Sequence, residues 1–241
     1  DLPLSADVSS RHISFLETGR AGPSDEMVVR LASTLSIPLR DQNALLRAAG
    51  FAPRYQDEPL SAHPAIHRAV ERMFKQQEPY PMVLMNRRYD VLRQNGAADR
   101  LLLQAVADPS ALVPPLNAVT SLFDPRLFRP HVVDWNRSAR DLLARIHREA
   151  LHQDHDGALH ELIEQCLSFP DVPAEWRHPD FDLGTEPTFT IRLKTPRVEM
   201  AFLTTVTVFS APQNVTLDEL QIESYFPLDE QTDAICHRLA G

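Results

Sequence analysis

At 241 residues the chain has room for two compact units of roughly 100–150 residues. A composition of 43% hydrophobic and 24% charged residues excludes wholesale disorder. No apolar run approaches the ~20 residues of a membrane-spanning helix, and the opening DLPLSADVSS lacks the basic start and apolar middle of a secretion signal, so no membrane partner and a cytoplasmic location are expected. The net charge of −9 is unevenly placed: residues 1–56 carry six Arg against six Asp and Glu, and the acidic excess falls in 57–241, with 18 Lys and Arg against 27 Asp and Glu. Such an acidic body repels phosphate except where a neutral N-terminal module approaches it. Cys166 and Cys236 are isolated, which argues against a disulfide framework or a cysteine-rich zinc site.

In chain order, Ser9 can cap a short helix through Arg11, Ile13, Phe15, Leu16 and Glu17, ended by Gly19 in a left-handed conformation. Pro23-Ser24-Asp25-Glu26 starts a second helix, with apolar Val28, Leu31, Ala32 and Leu35 at i, i+3, i+4, i+7 spacing. Pro38 opens a third, carrying Leu39, Leu45, Leu46 and Ala49 up to Gly50. Residues 54–62 read as a linker into a helix from about Pro64 to Gln77. MVLMN and YDVLR predict two short strands around a tight turn at Arg87-Arg88, and a helix follows from Asn95 to about Val106. The Pro-dotted stretch 109–130 reads as loop with short helical pieces, and 131–153 and 157–168 as helices. From Thr188 to Phe209 β-branched and aromatic residues surround a Thr195-Pro196-Arg197 turn, a hairpin signal; Glu219–Phe226 is a further strand and Asp229–Leu239 a terminal helix.

The run VSSRHISFLETGRAGPS, from Val8 to Ser24, resembles the recognition helix and following turn of the lambda-repressor/Cro-type (XRE) helix-turn-helix regulators. A helix whose capped N-terminus bears small hydroxyls can come close to a phosphate backbone. Ser9, Ser10, Arg11, His12, Ser14 and Arg20 are therefore the candidate contacts to a double-stranded operator, Arg11 and His12 toward base edges and Ser14 and Arg20 toward phosphate. Ile13 and Leu16 face the module's own core, and Glu17 suits a structural role because an acid facing phosphate is costly. The same run also reads as a capped amphipathic helix of an unrelated bundle. The blocks DQNALLRAAGFAPRY, EPYPMVLMNRRYDVLRQNGAADRLL and SAPQNVTLDELQIESYFP resemble the MmyB-like branch of these regulators, most weakly between about 105 and 185. The resemblance implies a helix-turn-helix module over 1–56 and a PAS-like α/β ligand-binding domain over 57–241, α+β overall with an antiparallel sheet. It departs from the family in three ways: no helix precedes the motif, so the module reads as truncated and weak operator binding is expected; Asp7 stands where the turn often has Gly; and Pro3 falls where a helix is expected.

A PAS-like pocket is lined by the inward side of its sheet, which nominates Val83, Met85 and alternate residues of 200–209 such as Val206, all of which also read as ordinary core. His131, Trp135 and Asn136 at a helix start, and Asn95 opening another helix, could orient a ligand headgroup or simply cap. The resemblance suggests a fatty acid or similarly apolar acid with no other cofactor, for which an Arg such as Arg88 or Arg192 could supply a carboxylate partner unless it stays solvated. His147, His152, His155 and His160 crowd one stretch, but no HExxH occurs and the spacing favours a solvated, partly structural face over a metal site. No GxSxG, Walker loop or GxGxxG is present, so catalysis is not expected. The resulting expectation is a homodimeric, ligand-responsive regulator; the rival is a protein-interaction or antitoxin-like scaffold without a small ligand.

Overall fold

The computed structural model describes residues 6–153, 157–178, 189–209 and 213–241, with the backbone alone for 152 and 153. The chain divides into two compact units. One comprises the described residues up to 62 together with 213–218; the other holds 63–209 and 219–241.

The first unit carries α1 (Ser10–Glu17), α2 (Asp25–Thr34) and α3 (Leu39–Ala48). Ser9 Oγ accepts the His12 N–H at 3.2 Å and Ser24 Oγ the Met27 N–H at 3.2 Å, so each serine satisfies a donor that the helix leaves open. Gly19 (φ +68°) and Gly50 (φ +87°) lie just past the ends of α1 and α3, in the left-handed conformation expected there. Ile13, Val28, Ala32, Leu39 and Leu46 are buried. Two expected core residues are not: Leu35 is 56% exposed because α2 ends at Thr34, and Leu45 is 42% exposed because Leu46 takes the inward position. Buried Asn43 pins residues beyond α3, its Oδ1 accepting from the N–H groups of Arg54 and Tyr55 and its Nδ2 donating to the Tyr55 carbonyl. A short helix, α9 (Val215–Asp218), belongs to the same unit: the Leu39 N–H at the start of α3 donates to Asp218 Oδ2 at 2.9 Å, and the Val215 N–H to the Gln56 carbonyl.

The second unit contains β1 (Met82–Met85), β2 (Val91–Gln94), β3 (Thr190–Lys194), β4 (Glu199–Val208) and β5 (Gln221–Pro227), with α4 (Pro64–Gln77), α5 (Gly96–Ala105), α6 (Ala118–Phe123), α7 (Trp135–Gln153), α8 (Ala158–Leu167) and α10 (Glu230–Ala240). The five strands form one antiparallel sheet in the order β2-β1-β5-β4-β3, with α5–α8 inserted between β2 and β3. This is the antiparallel α+β shell expected from the sequence. The β1–β2 turn is built on Asn86, whose Oδ1 accepts from the N–H groups of Arg88 and Asp90, with Tyr89 at φ +64°. Thr195 closes the β3–β4 hairpin, its N–H donating to the Val198 carbonyl at 2.8 Å. The helix expected from 131 begins instead at Trp135: Arg129–His131 is a 3-10 turn and Asp134 adopts φ +53°, which breaks helical continuity.

The core lies between the sheet and α5–α8, joining Val83, Met85 and Leu193 on strands to Leu101, Phe123, Leu143, Ile146 and Leu162 on helices. α10 is tied to β4 by Thr232, whose buried Oγ1 accepts the Ala201 N–H at 2.9 Å.

Candidate ligand-binding site

Alternation along β3 (TIRLK) places Ile191 and Leu193 on the helix-facing side of the sheet, and the register aligns Val83, Glu223 and Val206 in one row across β1, β5 and β4. Between this face and the helices lies a cavity in two adjoining compartments. The larger is apolar, walled by Val83, Ile191 and Leu193 from the sheet, Leu101 from α5, Leu122 from α6 and Phe128. Its cavity volume is about 90 Å³. One water needs roughly 10–15 Å³, so this is room for a small molecule and not a packing defect.

The second compartment, of about 50 Å³, is lined by Met85, Tyr89, Arg145, Val206, Glu223 and Tyr225, and it shares Ala118, Leu122, Ile191 and Tyr225 with the first. Its polar groups form two linked sets. Arg145 Nε donates to Glu149 Oε1 at 2.9 Å, and the Tyr89 hydroxyl donates to Glu149 Oε2 at 2.6 Å. The Tyr225 hydroxyl donates to Glu223 Oε2 at 3.0 Å. Burial pushes the Glu223 carboxyl above its ordinary range, against the lowering pull of hydrogen bonds from Tyr225 and Thr204 and of the Arg145 charge. Burial likewise raises the Tyr89 and Tyr225 phenols, assisted by the carboxylates beside them. Burial alone would weaken the Arg145 cation, but Tyr89, Glu149 and Glu223 more than offset this and hold it charged.

Val83 lines the larger compartment, and Met85 and Val206 line the second. The other sequence candidates lie elsewhere. Asn95 is spent on structure: its Oδ1 caps α5 through the Ala98 N–H and also accepts the Met82 N–H, while Nδ2 donates to the Tyr80 carbonyl. Trp135 Nε1 donates to the Leu122 carbonyl at 2.7 Å, with Arg129 stacked 3.9 Å from its ring centroid and Phe123 and Trp176 alongside. His131 sits in the 3-10 turn outside the lining, and Asn136 is exposed. Arg88 is an exposed partner of Glu161 at 3.4 Å, and exposed Arg192 alternates with Ile191 and so points away from the cavity face. Sequence reasoning missed Arg145, Glu223 and Tyr89. The available signals were an acid inside a strand that pairs on both sides, and an Arg–Glu pair at i, i+4 among the apolar positions of α7.

Of the operator candidates, Ser9, Ser10, Arg11, Ser14 and Arg20 are exposed and His12 half-buried, with Ile13 turned inward; the Arg11 guanidinium lies 5.3 Å from the Phe15 ring centroid. Asp7 adopts φ +51°, the left-handed conformation for which a turn often uses Gly and which Asp tolerates better than most residues. Pro3 and His155 fall outside the described residues, as does the side chain of His152. Among the described residues, no group of three metal-ligating side chains occurs, and no helix is long and apolar enough to cross a membrane.

An antiparallel sheet closed on one face by helices around an apolar cavity is the architecture of a small-molecule receptor. The family model described as the MmyB-like transcription regulator ligand binding domain matches residues 66–239, and the chain belongs to that family. It is a ligand-responsive transcription regulator by that membership. No curated protein matches the chain.

Proposed function

We propose that this protein is a homodimeric regulator that binds duplex operator DNA through α1 of the first unit and carries a small, largely apolar molecule in the cavity of the second, without catalysing a reaction. The observation that carries the reading is the apolar compartment between the sheet and α5–α6 within the region matched by the family. On the DNA side, support comes from the exposed, serine-capped N-terminus of α1, with Arg11 displayed on a helix whose Ile13 anchors it inward. The family resemblance favours a fatty acid or similar apolar acid as ligand, and the apolar compartment suits its chain.

The mechanism is linkage. A ligand that binds one arrangement of the dimer more tightly shifts the population toward it, and with it the spacing of two recognition helices that must sit about 34 Å apart to enter successive major grooves. Selection of duplex sequences from a random pool, with and without saturating apolar ligand, tests this. Enrichment of a two-fold-symmetric sequence whose retention changes with ligand supports it; no enrichment, or enrichment indifferent to ligand, overturns it.

A further inference from the structure

The second compartment holds a cation with unspent donors. Arg145 reaches it from α7 and gives its Nε–H to Glu149 at 2.9 Å, so its charge is balanced while only one part of its planar donor fork is used. Among the described residues, its Nη1 and Nη2 groups have no hydrogen-bond partner, and the half-buried guanidinium lies 5.9 Å from the Tyr89 ring centroid. Paired guanidinium N–H groups of this kind take a carboxylate side-on. Glu223 lines the same compartment from β5, between its register partners Val83 and Val206, and accepts hydrogen bonds from Tyr225 and Thr204. With Glu149 and Glu223 both ionised beside Arg145, negative charge is already in excess by one, and a ligand carboxylate would double that excess in a desolvated site. A proton taken up with the ligand restores the original charge and gives Glu223 a donor.

Building on the sensor reading above, we propose that the cavity takes up an apolar carboxylic acid as its anion together with a proton. The carboxylate lies on the Nη groups of Arg145, the chain runs between the sheet and α5–α6, and the proton, drawn from solvent, resides on Glu223. The groups that face Glu223 are Arg145 from α7 with Glu149 behind it, Tyr89 from the β1–β2 turn, Tyr225 on its own strand and Thr204 on β4. Burial moves Glu223 upward, in the direction that favours the proton, and raises both phenols away from neutrality, so neither tyrosine competes for the role.

The test is calorimetric titration of the full chain with octanoate and octanol, which share one chain length and differ in the head. It is run at pH 6 and pH 8, each in two buffers of different protonation enthalpy, so that the difference between buffers counts protons taken up. Octanoate is expected to bind about tenfold more tightly than octanol at pH 6, to take up protons, and to weaken severalfold at pH 8 although it is ionised at both. Octanol takes up none. In Glu223→Gln octanoate still binds, but without proton uptake and alike at the two pH values. Arg145→Gln abolishes the advantage of octanoate over octanol; Arg145→Lys, which keeps a cation beside Glu149, reduces it severalfold and serves if the glutamine variant does not fold. Octanol binding as tightly as octanoate, an octanoate advantage untouched in the folded Arg145 variants, or octanoate binding without proton uptake overturns the head-group assignment alone. Binding of neither overturns the sensor reading as well.

Discussion

Val83 on β1 and Glu223 on β5 are direct cross-strand partners, so an apolar side chain and a half-buried carboxyl stand side by side where two compartments of one cavity meet. The sheet thus presents the cavity with a dry wall interrupted at one point by an ionisable group. That interruption has consequences for stability.

The pH dependence of folding should carry the signature of Glu223. Burial raises its folded pKa above the ordinary value of 4.5, so the stability tied to its protonated form is complete below that value and is lost as pH rises through the folded pKa. Thermal unfolding of the unmodified protein and of Glu223→Gln, compared from pH 4 to pH 8, should diverge progressively in favour of the glutamine variant as pH increases. Parallel curves would mean that the carboxyl is solvated.

Asn95 should prove to be a folding residue and not a ligand contact. It satisfies two buried backbone donors, of Met82 and Ala98, and one carbonyl, of Tyr80, joining β1 to α5. Asn95→Ala removes a helix cap and strands a buried N–H, for an expected loss of about 2–4 kcal/mol in denaturant unfolding. Octanol affinity at a temperature where the variant is still folded should be unchanged.

Arg11 offers the complementary test in the first unit. Its guanidinium is exposed and makes one ring contact, with Phe15, worth about 0.5–1 kcal/mol. Arg11→Ala should leave the unfolding midpoint within a few degrees while weakening operator binding about tenfold or more, read by titration of a selected duplex. An equal loss of stability and binding would assign Arg11 to structure.

The fold was more legible in the sequence than the site, for a physical reason. Elements announced themselves through local rules: Ser9 and Ser24 cap α1 and α2 where those helices are expected to start, Asn95 and Asp229 stand at the expected starts of α5 and α10, α4 runs from Pro64 to Gln77 as read, and the Thr195-Pro196-Arg197 turn closes the expected hairpin. A local rule also hid what it could not see, since Asp134 takes a left-handed conformation that no helix periodicity reveals, and α7 begins four residues later than expected. The cavity depends on register between distant strands. Glu223 faces inward because β5 pairs with Val83 on one side and Val206 on the other, while Arg145 reaches the same compartment from a helix some eighty residues earlier in the chain. The polar residues chosen from sequence at helix starts, Asn95, His131, Trp135 and Asn136, were conspicuous for that position; Asn95 is spent on backbone hydrogen bonds, and His131, Trp135 and Asn136 lie outside the cavity.

Ile191→Trp tests most directly whether the space between the sheet and α5–α6 is a receptor. Ile191 lines both compartments, and an indole there should fill volume that a ligand needs. Calorimetric titration with octanol is predicted to give one molecule bound per chain in the unmodified protein and at least tenfold weaker binding in the variant, with the variant's thermal unfolding still cooperative. Equal affinity in the two folded proteins would place the ligand elsewhere and contradict the account.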